Sequence, residues 1–366
     1  MQQPNYEEVW GHAFVATNCP HCDWIYLTVP AQATMVCPHC GQATLEPLTA
    51  EDELPYTRPP ELLLLPGISR QNMEGALGRF ANEVPYPPDD LTSNNLLGRL
   101  QLVYLPMWLV DVDVSADWQA EVGYDYEVVS HRESLRDGAW SSQEVKETRI
   151  RWELRVGQLE RHYANARAAA LDEQAILSQR IGEYDSSKAG AFQASALNGS
   201  FVRLPNRTPR DAWSDAQPTI QNSAAAECQR AANGQHLRQY RWAPEFARQE
   251  WTQLLLPLYT THYEDDEKAR KMVMVNGQTG QLIGSRRAST KKAQHYSIII
   301  GLIGLALALI SLLVAAAGFL APPLFVVGGI GLFVAVLVMV GAIIPLGRAW
   351  QFNKQHAQRV PLRLDA

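Results

Sequence analysis

The chain has 366 residues, with 32 Lys and Arg against 38 Asp and Glu and a formal charge of −6. That length accommodates a small metal module, one sizeable globular domain and a membrane anchor. The acidic balance weighs against a protein built to hold nucleic acid, since affinity for a phosphate backbone comes largely from Lys and Arg.

Near the N-terminus stand two cysteine knuckles, Cys19-Pro20-His21-Cys22 and Cys37-Pro38-His39-Cys40, with 14 residues between them. Two CxxC pairs at this separation suit a tetrahedral metal site in which each tight turn presents two thiolates. The residues that follow the pairs, Asp23 and Gly41, are types that tolerate the left-handed backbone such turns require. Residues 24–29 read as a strand between the knuckles. The expectation is a zinc ribbon over residues 1–50, a small β module, with one structural Zn2+ on Cys19, Cys22, Cys37 and Cys40. A pair of disulfides or a redox CxxC are the other readings, and a second knuckle with its own glycine weighs against a redox site. No Lys or Arg precedes Arg58, while Glu7, Glu8, Asp23, Glu46, Glu51, Asp52 and Glu53 do. The ribbon by itself therefore offers phosphate nothing, and no direct nucleic-acid binding is expected.

Residues 51–60, rich in Pro and acidic side chains, read as a linker. A cytosolic α+β domain with an antiparallel sheet is expected over 61–290. Within it, a short strand ends at Pro66-Gly67. Ser69 caps a helix running to about Glu83, with Met73, Leu77 and Phe80 on one face. Strands are expected over about 100–114, 120–130 and 145–156. In the last, Ile150, Trp152, Leu154 and Val156 alternate with Arg149, Arg151, Glu153 and Arg155, as in a half-buried antiparallel strand. Residues 159–182 are more helical in composition, and Thr208-Pro209 opens another helix ending near Asn233-Gly234. Leu105-Pro106-Met107-Trp108 is echoed by Leu256-Pro257-Leu258-Tyr259, which suggests a duplicated β unit. Asn276-Gly277 marks a hairpin turn.

From Ser297 to Gly347 there is no Asp, Glu, Lys, Arg or His. The stretch is too long for one crossing and is broken at Ala321-Pro322-Pro323, so two transmembrane helices are expected, 297–320 and 324–346. Arg286, Arg287, Lys291 and Lys292 precede them; Arg348, Lys354, Arg359 and Arg363 follow in a basic tail, 347–366. Basic flanks stay cytoplasmic, which places both termini in the cytosol and the protein in the plasma (inner) membrane. Residues 1–10 do not resemble a signal peptide. A reducing compartment favours zinc over disulfides for the paired cysteines, and leaves Cys228 as a buried thiol.

In the two CPHC knuckles, Tyr104-Leu105-Pro106-Met107-Trp108, Leu255-Leu256-Pro257-Leu258-Tyr259, Val275-Asn276-Gly277-Gln278-Thr279-Gly280 and the closing apolar pair, the chain resembles a bacterial family of membrane-anchored TFIIB-type zinc-ribbon proteins (YdjG-like, often labelled primosomal replication factor Y-like). The likeness covers most of the chain, and residues 157–235 match it least. It implies a cytosolic sensor or adaptor held at the membrane, working with flotillin-like or phage-shock-type membrane-maintenance proteins.

No phosphate-binding loop, nucleophile elbow or HExxH is present, and no catalytic residue is assigned. Asp111 and Asp113 form a DxD that reads as a wet strand face. Glu264 to Glu267 read as a solvated hairpin tip. The function expected is a non-catalytic, membrane-anchored zinc-ribbon adaptor for partner proteins. The alternative is a ligand sensor or enzyme housed in the α+β domain, with a replication or transcription factor the least favoured.

Overall fold

A computed structural model describes residues 6–49, 56–136 and 138–357. Residues 51–55 of the expected linker, and Arg359 and Arg363 of the expected tail, lie outside them. The chain opens with α1 (Tyr6–Trp10), β1 (Val15–Asn18), β2 (Ile25–Thr28), β3 (Glu46–Pro47) and β4 (Leu62–Leu63). Next come α2 (Arg70–Asn82) and α3 (Ser93–Gly98), then two very long strands, β5 (Gln101–Arg136) and β6 (Ala139–Ala168). After α4 (Gln174–Ile181), β7 (Gly190–Ala191) and β8 (Phe201–Arg203) comes the long helix α5 (Pro209–Ala231). A third long strand, β9 (His236–Glu264), leads to β10 (Arg270–Asn276) and β11 (Leu282–Gly284). The chain ends in α6 (Thr290–Ala317), α7 (Pro323–Gly341) and α8 (Ile344–Ala357).

One sheet runs in the order β11-β10-β9-β5-β8-β2-β1-β3. It is mixed rather than antiparallel throughout, because β4 runs parallel to β9 and β8 parallel to β5. The strands around the knuckles enter this sheet through β2, whose Tyr26 and Leu27 face Arg203 and Val202 of β8. Trp24, Tyr26 and Leu45 share one core with Val103, Leu105, Leu254 and Leu256.

The echoed motifs lie against each other. β5 and β9 are antiparallel neighbours with Leu105 opposite Leu256 and Tyr104 opposite Pro257. Proline cannot donate to a ladder and belongs at edges or interruptions. Here both prolines sit at seams of interior strands. On its far side β5 changes partner from β8, at Val103 and Tyr104, to β6, which begins at Trp108. On its far side β9 changes from β4, at Leu254 and Leu255, to β10, which begins at Leu258. Pro106 and Pro257 each fall in the gap, where no ladder N–H is called for.

The separate strands expected over 120–130 and 145–156 are parts of β5 and β6, which form one hairpin. The first part of the helix expected over 159–182 is strand, because β6 stays paired with β5 as far as Ala168, across a bulge opposite Asp111; only α4 is helical. Cross-strand pairing has overridden local composition there. Beyond the body of the sheet, β5, β6 and β9 continue as a narrow arm. The even-numbered residues Trp108 to Ala116 of β5 are buried beneath Ala212, Ala216, Ile220 and Ala224 of α5. These four recur every fourth residue and form one helix face, on which three alanines allow close approach and Ile220 fills the remaining space. Cys228 continues that face as a buried thiol.

Local expectations hold where they rest on caps and turns. Ser69 accepts from the Asn72 amide at the start of α2, whose Met73, Leu77 and Phe80 are buried. Thr208 and Asp211 form a reciprocal capping box at the start of α5. Asn276 closes the β10–β11 turn by accepting from the Gln278 and Thr279 amides. Gly277 is needed there, since a Cβ would lie 2.7 Å from the Pro257 carbonyl oxygen.

Two long, apolar helical stretches, Thr290–Ala317 and Pro323–His356, are of a length and composition able to cross a membrane. They pack on each other through glycine. A Cβ on Gly328 would meet Ala315 at 2.6 Å, and one on Gly331 would meet Ser311 Oγ at 2.4 Å. Their base docks on the sheet domain: Asn353 of α8 exchanges hydrogen bonds with the Ala288 backbone, and Tyr296 packs on Tyr86.

Candidate metal centre

The two knuckles fold alike. In each, the amide two residues past the CPH triplet turns back to the first cysteine: Asp23 N donates to Cys19 O at 2.9 Å, and Gly41 N donates to Cys37 O at 3.0 Å. That closure places Asp23 at φ 55° and Gly41 at φ 67°, the left-handed backbone expected for both. Gly41 is further constrained by space, because a Cβ there would meet Met272 Sδ at 2.7 Å. The amide of Gln42 donates to Cys40 Sγ at 3.5 Å.

The turns bring Cys19, Cys22, Cys37 and Cys40 together, with all four Sγ atoms within 4.8 Å of one another. Cys19 lies 3.6 Å from Cys40, and Cys22 lies 3.7 Å from Cys37. These separations are far beyond an S–S bond, and all four are free thiols. The thiols compete for charge. Hydrogen bonding from Cys22, and then from Cys37, holds the Cys40 thiol well below the usual range. Hydrogen bonds to Cys37 and Cys40 push the Cys22 thiol up. A divalent cation at the centre would favour all four thiolates, and the set is compatible with one metal ion.

The histidines inside the knuckles have different fates. His21 is exposed. His39 is buried and lies flat on Trp24, with centroids 3.7 Å apart and planes 9° apart. Burial pushes its imidazole down to about 4. It serves as a neutral packing plate against Trp24.

Arg203 of β8 covers the Trp24 ring, 5.0 Å from its centroid. It is 3% exposed, donates from Nη1 to the Ile25 carbonyl at 3.1 Å, and lies 4.0 Å from the Glu173 carboxylate. Burial lowers the affinity of its guanidinium for the proton; Glu173, and then Tyr26, Cys22 and Cys37, favour the charge. A buried cation thus stands beside a cluster of thiols. A second arginine, Arg270, donates to the Gly41 carbonyl at 2.8 Å. The absence of basic residues from the stretch that carries the knuckles is therefore made up by β8 and β10. Nothing local marks Arg203 in the sequence, since its role depends on a strand pairing across about 180 residues.

The other polar motifs are satisfied within the chain. Asp111 accepts from the Asn165 amide, and Asp113 pairs with His162 at 2.8 Å and Arg248 at 3.7 Å. The acidic run does lie at the β9–β10 hairpin, but it meets bases from its own chain. Asp265 is buried and pairs with Lys271 and Arg287, while Asp266 accepts from the Lys291 amide at the start of α6. A cleft of about 600 Å³ between β6, α4 and α5 includes Arg167, Glu183, Gln174 and Asp215. Arg167 is already held by Glu183, the Tyr184 carbonyl and Ser186, and Gln174 caps the Ala170 amide.

No family model, curated protein or solved structure matches the chain.

Proposed function

We propose that the protein is a membrane-anchored zinc-ribbon adaptor, in which a structural Zn2+ on Cys19, Cys22, Cys37 and Cys40 locks the N-terminal strands onto a cytosolic domain that binds partner proteins at the membrane. The observation that carries this reading is the all-thiol centre set in the common core. Four thiolates fill a tetrahedral shell and leave no position for a substrate. The hairpin of α6 and α7 is the anchor, with both termini cytosolic and the Ala321–Pro323 turn outside. Its only hydroxyls between Ser297 and Gly347 are Ser297 and Ser311. Transport paths need ionisable or strongly polar groups within the bilayer.

Metal analysis of the full chain after reducing purification tests the first part, with one zinc per chain expected. A zinc content near zero would overturn it. A cysteine placed in the 321–323 turn should react with an impermeant reagent added to intact cells; one added near Asp365 should be protected. Co-purification in mild detergent followed by mass spectrometry should recover a membrane-associated protein partner. Recovery of a retained small molecule in its place would favour the sensor or enzyme reading, with the cleft at Arg167 the place to look.

A further inference from the structure

The arm has two outer edges, and the chain treats them differently. A long strand edge exposes a row of unpaired N–H and C=O groups, and proteins blunt such edges with proline, bulges or cover. The β9 edge is blunted. It carries Pro244, and its register on β5 shifts twice, beside Gln239 at φ 52° and Arg248 at φ 51°. The β6 edge is not. From Tyr163 back to Ala139 it pairs with β5 without a single shift and contains no proline. Among the described residues, its other side pairs with no strand.

The apolar half of β6 is also uncovered. Residues directly opposite in an antiparallel pair share a face. Val156, Leu154, Trp152 and Ile150 stand opposite Gln119, Glu121, Gly123 and Asp125, on the face away from α5. The half-buried strand expected from their alternation is thus open on its apolar side: Leu154 and Val156 are each 70% exposed. Trp152 and Ile150 lean over Gly123, and Arg238 stacks on Trp152 at 3.9 Å.

We propose that the outer edge of β6 is a dimerisation surface, on which two copies of this chain pair their β6 strands antiparallel about a two-fold axis at Leu154. An isologous contact must be self-complementary, and charge selects the register. The axis must pass through a residue, since a two-fold normal to the sheet keeps each side chain on its own face. An axis at Trp152 sets Arg149 against the partner's Arg155. An axis at Glu153 sets Arg151 against the partner's Arg155. An axis at Arg151 or Arg155 sets that arginine against its own copy. The axis at Leu154 sets Glu153 against the partner's Arg155 and Glu147 against the partner's Arg161, each twice, and opposes no like charges from Glu147 to Arg161. It also brings Leu154 against its own copy and Trp152 against the partner's Val156, which closes the two apolar stripes into one. An axis at Gly157 avoids most repulsion too, but strands Leu154 opposite Glu160. The product is a six-stranded sheet in which the regular edge is consumed and the blunted β9 edges lie outermost.

The test uses the full, metal-loaded chain in mild detergent, with mass read by light scattering. Wild type is expected as a dimer. Glu153→Arg and Arg155→Glu, each alone, oppose like charges twice and are expected as monomers with unchanged metal content. Co-expressed under different tags, the two single variants are expected to form a mixed dimer, because every 153–155 contact is again opposite in sign. In-strand pairing of Glu153 with Arg155 cannot produce that rescue. Leu154→Cys should also form a disulfide with its own copy under mild oxidation, while Ile150→Cys, which faces the partner's Gln158, should not. A monomeric wild type, single variants that dimerise as wild type does, or failure of the mixed pair to form would each overturn the proposal. A strand from another protein on this edge would appear as a monomer of this chain carrying that protein, and would overturn it equally.

Discussion

Replacing Arg203 with Met removes a buried charge at nearly constant volume and separates two roles of that residue. The Ile25 carbonyl keeps the Leu204 amide at 3.0 Å but loses its charged side-chain donor, a hydrogen bond of a kind that contributes about 1.5–3 kcal/mol. The stack on Trp24 loses its cationic component, about 2 kcal/mol for a desolvated pair. Methionine recovers part through packing and through relief of the burial that disfavours the guanidinium. The expected net loss is about 2–4 kcal/mol. In a urea titration followed by tryptophan fluorescence, that corresponds to a midpoint lower by about 1 M, given slopes near the upper end of the usual range for a domain of this size. The double variant Arg203→Met, Glu173→Gln separates the causes. Glu173 comes first among the groups that favour the charge, but at 4.0 Å it makes no hydrogen bond to Arg203, so removing its charge should restore part of the loss and not all of it. The larger share should depend on the metal, because four thiolates around a divalent ion leave a net negative charge beside Arg203. Chelation should accordingly narrow the gap between wild type and Arg203→Met. A midpoint unchanged within about 0.2 M, or full rescue by Glu173→Gln, would refute the idea that Arg203 balances the thiolate centre.

Serine at any one of Cys19, Cys22, Cys37 or Cys40 should reduce bound metal from one ion per chain to near zero, as read by elemental analysis, and should lower stability with it. Gly331→Leu must displace Ser311 across the α6–α7 contact and should loosen the hairpin, read as lost cross-linking between cysteine pairs placed on the two helices. Gly329→Leu, which meets nothing within 4 Å, should leave that cross-linking intact. Asp90 accepts from Arg99, Asn95 and the Glu264 amide, and hydrogen bonding from Arg99 comes first in holding its carboxyl below the usual range. The stability it contributes is present above the unfolded aspartate pKa, about 3.9, and is lost as pH falls through the folded value. Asp90→Asn should flatten acid unfolding in that window, and an unchanged pH profile would count against the assignment.

What could be read from the sequence was short-range. The knuckles, the φ values at Asp23 and Gly41, the caps at Ser69 and Thr208 and the turn at Asn276 are each set within a few residues. The uncharged stretch from Ser297 to Gly347 is likewise legible as composition alone. The arm was not legible. No propensity within β5 or β6 announces strands of 36 and 30 residues, and the Ala- and Arg-rich end of β6 resembles a helix until it is paired. The echo of Leu-Pro motifs was visible, but the seams that tolerate Pro106 and Pro257 exist only once six strands have met. The centre was legible as four ligands and illegible as a neighbourhood, because Arg203 and Arg270 arrive from distant strands and Glu173 from the start of α4. The glycines at 328 and 331 were readable as packing positions, and the structure turns them toward the other helix of the same hairpin.

The route of the chain through β8 has a consequence for synthesis. All four cysteines have been synthesised once residue 40 is added, but Phe201–Arg203, the strand that caps Trp24 and supplies the guanidinium, follows about 160 residues later. At roughly 5–20 residues per second, the gap is on the order of 10–30 s. During that interval the knuckles are nascent turns with accessible thiols, open to metal and to oxidants alike. Early capture of the ion would protect them, and the later closing of β8 over Trp24 would then slow its release.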